Sequence, residues 1–321
     1  MNTDEPQEPG GYDHDEPRSG KAGVCPFCYG NESQTPPEII AIRDTHTAPN
    51  TPGWQVRVVP NKFPALQIEG NLDRRGLGLY DMSNGVGAHE VIIETPYHDK
   101  DLCDLLTEEV SAILQIYCQR TLDLEKDKRF KYIMIFKNYG AAAGASLEHP
   151  HTQIIALPMV PKNVKEEIMG AHNYFEYRER CVFCDMIRQE LEDKERIILE
   201  NKNFFAFCPF VSRFPFEIWI MPKKHTAFFF ETPLEIMPDL ANILRGVVAK
   251  VKKVFGDTSY NFMIHTSPVN SDGYSFDNYH WHLEFMPKLT RVAGFEWGTG
   301  FYLVPTPPEL AAKFLREAKV D

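Results

Sequence analysis

Hydrophobic and polar positions alternate along this chain with two periods, and the periods change in the same order twice. Trp54-Gln55-Val56-Arg57-Val58-Val59 is rich in β-branched and aromatic residues and stops at Pro60-Asn61, which predicts a strand closed by a turn. Glu90 to Glu94 predicts a second strand, stopped by Thr95-Pro96-Tyr97-His98. From Leu102 to about Leu124, Leu105, Val110, Ile113, Leu114, Ile116 and Tyr117 recur at helical spacing and predict a long amphipathic helix. Lys131 to Phe136 predicts a strand that delivers the chain to Asn138, then to a small-residue loop from Gly140 to Ser146, then to His149-Pro150-His151-Thr152-Gln153 and the apolar run Ile154–Leu157. After a helical stretch around Val164–Tyr177 the order returns. Strands are predicted at Phe204–Pro209 and Phe216–His225, a helix at Leu234–Phe255, a strand at Tyr260–His265, and a further strand at His280–Met286 that opens with a second His-x-His.

Each half also opens with Cys-x-x-Cys, at Cys25–Cys28 and Cys181–Cys184. The same succession twice over predicts an internal duplication with a period near 150 residues. The expected fold is α+β: two tandem repeats, each an antiparallel sheet with packed helices. Residues 1–20 carry Pro, Gly, Asp and Glu and almost nothing apolar, so a disordered acidic tail is expected there, with order beginning near Lys21. The first repeat is expected over 21–175 and the second over 176–321.

Composition narrows the class. The chain has 321 residues, 43 % of them hydrophobic, enough to bury a sizeable core. A net charge of −11 argues against general binding to nucleic acid or a membrane surface, while leaving room for a local basic pocket. No apolar run is long enough to span a bilayer, and no secretory signal opens the sequence. Seven cysteines, four of them in Cys-x-x-Cys pairs, point to metal or redox use in a reducing compartment, and a cytoplasmic location is expected. The first pair follows a polar tail and precedes Asn31–Pro37, where a redox motif would want a strand and a helix, so zinc is the favoured reading. A structural zinc takes four Cys or His ligands. The first half supplies Cys25, Cys28, His98 and His149. The second supplies Cys181, Cys184, His225 and His280 at matching places, with His265 and His282 as competing ligands.

Read as a strand, residues 149–153 put His149, His151 and Gln153 on one face and Pro150 on the other, where its missing donor suits an edge or a strand start. Two histidines and an amide beside a loop that lets backbone N–H groups approach a ligand suggest phosphate chemistry. A buried, hydrogen-bonded His pair is the alternative.

These residues resemble the histidine-triad superfamily and, through the duplication, its two-repeat branch, the galactose-1-phosphate uridylyltransferase family. The resemblance runs from about Cys25 to the C-terminus. It is carried by Cys25-Pro26-Phe27-Cys28, Val58–Leu66, Glu94-Thr95-Pro96-Tyr97-His98, the stretch 138–153 and Gly294-Phe295-Glu296. It implies that His151 is the nucleophile of a ping-pong exchange through a nucleotidyl-histidine, and that His149 holds zinc. Gln153 would donate to the phosphoryl oxygens, and its presence where the hydrolases have a third His favours transfer. Asn138, Gly144 and Ser146 would hold phosphate, Asn61 and Phe63 would face the nucleotide, and Phe295 and Glu296 would reach the hexose from the partner of a homodimer.

The chain also departs from that family. The arginine-rich segment expected upstream of the first Cys pair is acidic here, with Arg18 alone, so either a further N-terminal segment exists or Lys62 or Lys137 meets the phosphate charge. Thr290 and Tyr302 stand near the places of a Lys and a Gln. The twin Cys pairs and Gly294–Gly300 look more like the ADP-glucose phosphorylase relatives. The leading expectation is a UDP-glucose–hexose-1-phosphate uridylyltransferase. The alternatives are an ADP-glucose phosphorylase, which passes an adenylyl group to phosphate, and a non-catalytic zinc-stabilised nucleotide-binding module.

Overall fold

The computed structural model describes residues 25–270 and 278–320, so the expected acidic tail and the start near Lys21 lie outside the described residues. Ten strands form one antiparallel sheet. In chain order they are β1 (Ile40–Arg43), β2 (Trp54–Pro60), β5 (Ala88–Ile93), β6 (Tyr132–Tyr139), β7 (His151–Leu157), β8 (Ile197–Glu200), β9 (Phe204–Phe207), β10 (Ile218–Pro222), β11 (Tyr260–His265) and β12 (His282–Pro287). A small hairpin, β3 (Arg75–Leu77) and β4 (Tyr80–Met82), stands apart. The spatial order is β1-β2-β5-β7-β6-β11-β12-β10-β9-β8. Read inward from each end, both halves run first, second, third, fifth, fourth strand. The duplication is therefore visible in topology, and the halves meet as mirror partners at β6 and β11, where Tyr139 pairs with Tyr260 and Asn138 with Asn261. Each repeat contributes the antiparallel sheet with packed helices expected of it, and the two are joined edge to edge, because each fourth strand would otherwise present an unpaired edge, and pairing the two edges removes both.

The helices explain why the two faces of this sheet differ. One face carries α1 (Thr107–Leu124), α4 (Met237–Phe255) and α6 (Pro308–Glu317). Val110, Ile113, Leu114 and Tyr117 of α1 and Leu240, Leu244, Val247 and Val251 of α4 recur three and four residues apart, and all are buried against Val58, Ile92, Ile154, Phe262 and Phe285 of the strands. At about 25 cal/mol per Å² of apolar surface removed from water, this layer is the main source of stability. On the other face, α2 (Lys162–Arg178) and α3 (Val182–Asp193) cover only the second half: Val164, Ile168, Phe183 and Ile187 pack on Phe205, Phe207 and Met221. Over the first half the same face carries no helix among the described residues. Trp54, Val59, Val91 and Ile93 are covered there by the first Cys-x-x-Cys segment, through Phe27. The repeat boundary expected at residue 175 falls within α2. Short α5 (Gly294–Thr299) follows β12.

Candidate functional site

The two cysteine pairs each end in the same cluster. Cys25, Cys28, His98 and His149 bring their ligand atoms within 4.8 Å of one another, and so do Cys181, Cys184, His225 and His280. Cys28 Sγ lies 3.2 Å from His98 Nδ1 and 3.7 Å from His149 Nδ1. Cys184 Sγ repeats those distances, 3.2 Å to His225 Nδ1 and 3.7 Å to His280 Nδ1. His149 donates its Nε2–H to the Thr95 carbonyl at 2.7 Å, and His280 donates to that of Pro222 at 2.9 Å. A carbonyl can only accept, so the lone pair of each ring is on Nδ1, aimed at the sulfurs. Burial holds the His149 pKa down at about 4, which keeps the ring neutral as a ligand requires. Two thiols and two imidazoles suit a closed, four-coordinate metal. Both clusters can hold one.

The segment between the first two cysteines borders a cleft of about 640 Å³ on the first half. Pro26 and Phe27, the inner residues of the Cys pair, line it together with Asn61, Lys62, Phe63, Ser146, Leu147, His151 and Gln153. The face follows from register: Val91 pairs with Gln153 across β5 and β7, and Phe136 pairs with Gln153 across β6 and β7. The strand begins only at His151, so His149 and Pro150 lead into it. His151 is 6 % exposed and donates Nδ1–H to the His149 carbonyl at 2.8 Å, which puts its lone pair on Nε2. The Phe27 ring meets His151 edge-on at 5.3 Å. Before β7 the chain makes one short turn of helix, Ala141–Ala143, between Gly140 at φ +81° and Gly144 at φ +87°. Asn138 and Gly144 are not among the residues that line the cleft; a Cβ on Gly144 would lie 3.9 Å from Asn138 Nδ2.

The family described as galactose-1-phosphate uridyl transferase matches here twice, by its N-terminal domain at residues 42–161 and by its C-terminal domain at 166–307. The chain belongs to the galactose-1-phosphate uridylyltransferase family. An ADP-glucose phosphorylase of Arabidopsis thaliana is 37 % identical over 94 % of this chain and 83 % of its own length. A galactose-1-phosphate uridylyltransferase of Thermotoga maritima is 33 % identical over 81 % of this chain and 84 % of its own. The crystal structure of an ADP-glucose phosphorylase from Arabidopsis thaliana with bound ADP-glucose superposes with a TM-score of 0.82 at 36 % identity, covering 95 % of this chain and 93 % of that one.

In this uridylyltransferase-family chain the second His-x-His has a different setting. His282 donates Nδ1–H to the His280 carbonyl at 3.2 Å, as His151 does to His149. Its Nε2, however, lies 3.3 Å from Glu167 of α2 and 3.8 Å from Glu284. His265, one of the competing ligands, is not part of the Cys cluster; its Nδ1 meets Glu167 at 2.7 Å, and Arg213 pairs with Glu284. Burial would raise the Glu284 pKa, yet His265, His282 and Arg213 hold it well below the usual carboxylate range. The place where the first half keeps a cleft is thus filled by carboxylates and α2.

Lys137 does not serve as a phosphate cation. It pairs with Thr152 across the sheet, so it shares the opposite face from Gln153, where it is 1 % exposed and paired with Glu94 and Asp101. Lys62 does line the cleft. Phe295 and Glu296 do not line it in this chain; they stand on α5, with Glu296 Oε2 accepting from the Ala293 N–H at 3.1 Å. One residue of the site was not anticipated. His89 on β5 accepts the Ala65 N–H at Nδ1, 3.1 Å, so its proton is on Nε2, which donates to Gln153 Oε1 at 2.7 Å. Asn61 Nδ2 is 3.0 Å from that same nitrogen but has no acceptor there, and its Oδ1 already takes the Phe63 N–H at 2.9 Å. The NH2 groups of Gln153 and Asn61 are left as donors to the cleft.

Proposed function

We propose that this chain moves a nucleoside monophosphate between a nucleotide sugar and a hexose 1-phosphate through a nucleotidyl-histidine on His151, with UDP-glucose as the leading donor. The observation that carries this reading is the orientation of His151: Nδ1–H is bound to the His149 carbonyl and the lone pair is on Nε2, on the wall of the cleft. Nε2 attacks the α-phosphorus, the bond to the bridging oxygen breaks, and the sugar 1-phosphate leaves with the electron pair. The imidazole becomes cationic, and the His149 carbonyl stabilises that charge through Nδ1–H. The Gln153 NH2, fixed by His89, donates to the phosphoryl oxygens. A phosphate oxygen of the acceptor then displaces the imidazole, which returns neutral. Asn138, Gly144 and Ser146 hold the phosphoryl group, and Asn61 and Phe63 meet the nucleoside. The metal in both Cys2His2 clusters is zinc, in a structural role. Phe295 and Glu296 complete the hexose site from the partner of a homodimer, and the protein is cytoplasmic.

The 37 % identity to an ADP-glucose phosphorylase supports a second reading, adenylyl transfer from ADP-glucose to phosphate. One experiment separates the two. The enzyme is incubated with UDP-glucose or ADP-glucose labelled in the α-phosphate, and the labelled peptide is sequenced. Label from UDP-glucose on His151, discharged by galactose 1-phosphate, is expected. Label from ADP-glucose alone, discharged by inorganic phosphate, selects the second reading. A His151→Gly variant that keeps full activity would overturn both.

A further inference from the structure

We propose, on the reading of the site just given, that Asn261 of the second repeat is a positioning residue for transfer in the first, acting by fixing the orientation of Asn138. The two asparagines are direct partners across the β6–β11 junction. Asn261 Nδ2 donates to Asn138 Oδ1 at 2.8 Å and to the Ala143 main-chain carbonyl at 2.9 Å. The carbonyl can only accept, so the second bond identifies the Asn261 group as its NH2. The Asn138 atom facing it is then the oxygen. The Asn138 NH2 is turned the other way, toward Gly144 and the loop that precedes His149. An amide that could flip would present an oxygen to a phosphoryl group half of the time; this one is held as a donor.

The start of β11 and the turn before it wall in the same loop. A Cβ on Gly140 would lie 2.0 Å from Ser259 Oγ. Tyr260 stacks on Tyr139 with ring centres 4.7 Å apart, and Tyr139 donates to Asp257 at 2.6 Å. A repeat whose own His-x-His is closed by carboxylates thereby retains a part in the other repeat's chemistry.

The test uses the full-length protein and single-turnover formation of the labelled nucleotidyl-enzyme. Asn261→Ala loses the orienting donor. Asn261→Asp keeps the size but turns acceptors toward Asn138 Oδ1 and the Ala143 carbonyl, and serves if the Ala variant does not fold. Labelling should slow about tenfold in Asn261→Ala and further in Asn261→Asp, with nucleotide-sugar affinity little changed, since what is lost is alignment of a transition-state donor. In an Asn138→Ala background, where no amide remains to be oriented, adding Asn261→Ala should slow labelling less than about twofold. A full tenfold loss in that background, or wild-type rates in both Asn261 variants, would overturn the proposal. His151→Gly, run in parallel, isolates the site itself: if it labels normally, the reading of the site fails whatever the Asn261 variants do.

Discussion

Gln153 and Glu284 stand two residues beyond the second His of matching motifs, on matching strands. Glu284 is neutralised by Arg213, His265 and His282, so a carboxylate at that position is compatible with the fold when cations surround it. The partner of Gln153 is instead His89 Nε2–H, which fixes Oε1 and leaves NH2 as a donor. Gln153→Glu therefore keeps the bond to His89 and replaces one donor with a negative oxygen facing the phosphoryl group. We expect folding to be unchanged and labelling of His151 to fall by roughly 10²–10³, the usual cost of losing a donor aimed at developing charge, with repulsion added. Stopped-flow labelling with a parallel thermal melt measures both. A variant that labels within a factor of three of wild type would show that Gln153 is not a donor to the transferred group.

The two Cys2His2 clusters are built alike but join different elements. The first ties the segment around Cys25 to the loop after β5 and the start of β7, and it places Phe27 against His151. The second ties the N-terminus of α3 to the ends of β10 and β12, away from the cleft. Cys28→Ser and Cys184→Ser should each lose one equivalent of metal by elemental analysis. Both should melt at lower temperature, because metal affinity is folding free energy. Only Cys28→Ser should also lose labelling of His151, by on the order of tenfold or more, since a displaced ligand shell misplaces the groups it orients. Equal labelling losses in both variants would refute the division of roles. These clusters and the His-x-His strands were legible in the sequence because their spacing survives duplication: His98 and His225 each follow a strand and a proline, and His149 and His280 each stand two residues before the start of a strand. Other parts were not legible, for physical reasons. β1 is four residues long and α3 starts inside a Cys-x-x-Cys, so neither shows a full period. His89 and Asn261 are single polar residues on otherwise apolar strands, and their partners, Gln153 and Asn138, are 64 and 123 positions away. The burial of Lys137 depends on a register that only pairing with β7 sets.

At the scale of the molecule, the first repeat keeps a cleft on the open face of the shared sheet, and the described residues that line it do not include the hexose-contacting residues expected there. Phe295 and Glu296 are on α5, and neither lines the cleft of its own chain. Around them Trp297 is 79 % exposed and Phe301 73 %, and on the β3–β4 hairpin Leu79 is 86 % exposed. Large apolar side chains left in water are the kind of surface that the partner of the proposed homodimer can cover. If a second copy covers them and lends its α5 residues to the cleft, each site draws His151 from one chain and Glu296 from the other. A two-fold dimer then has two such composite sites. The prediction is complementation. His151→Gly and Glu296→Ala, each nearly inactive alone, are coexpressed with different tags. Random pairing makes half of the dimers mixed, and each mixed dimer has one site with both residues intact, so activity should recover to about a quarter of wild type in the whole population and about half in the doubly purified heterodimer. Recovery would not occur if both residues acted within one chain, because every site would then carry one defect. A heterodimer isolated on both tags that stays inactive would place the Glu296 contribution in its own subunit or remove it from the site.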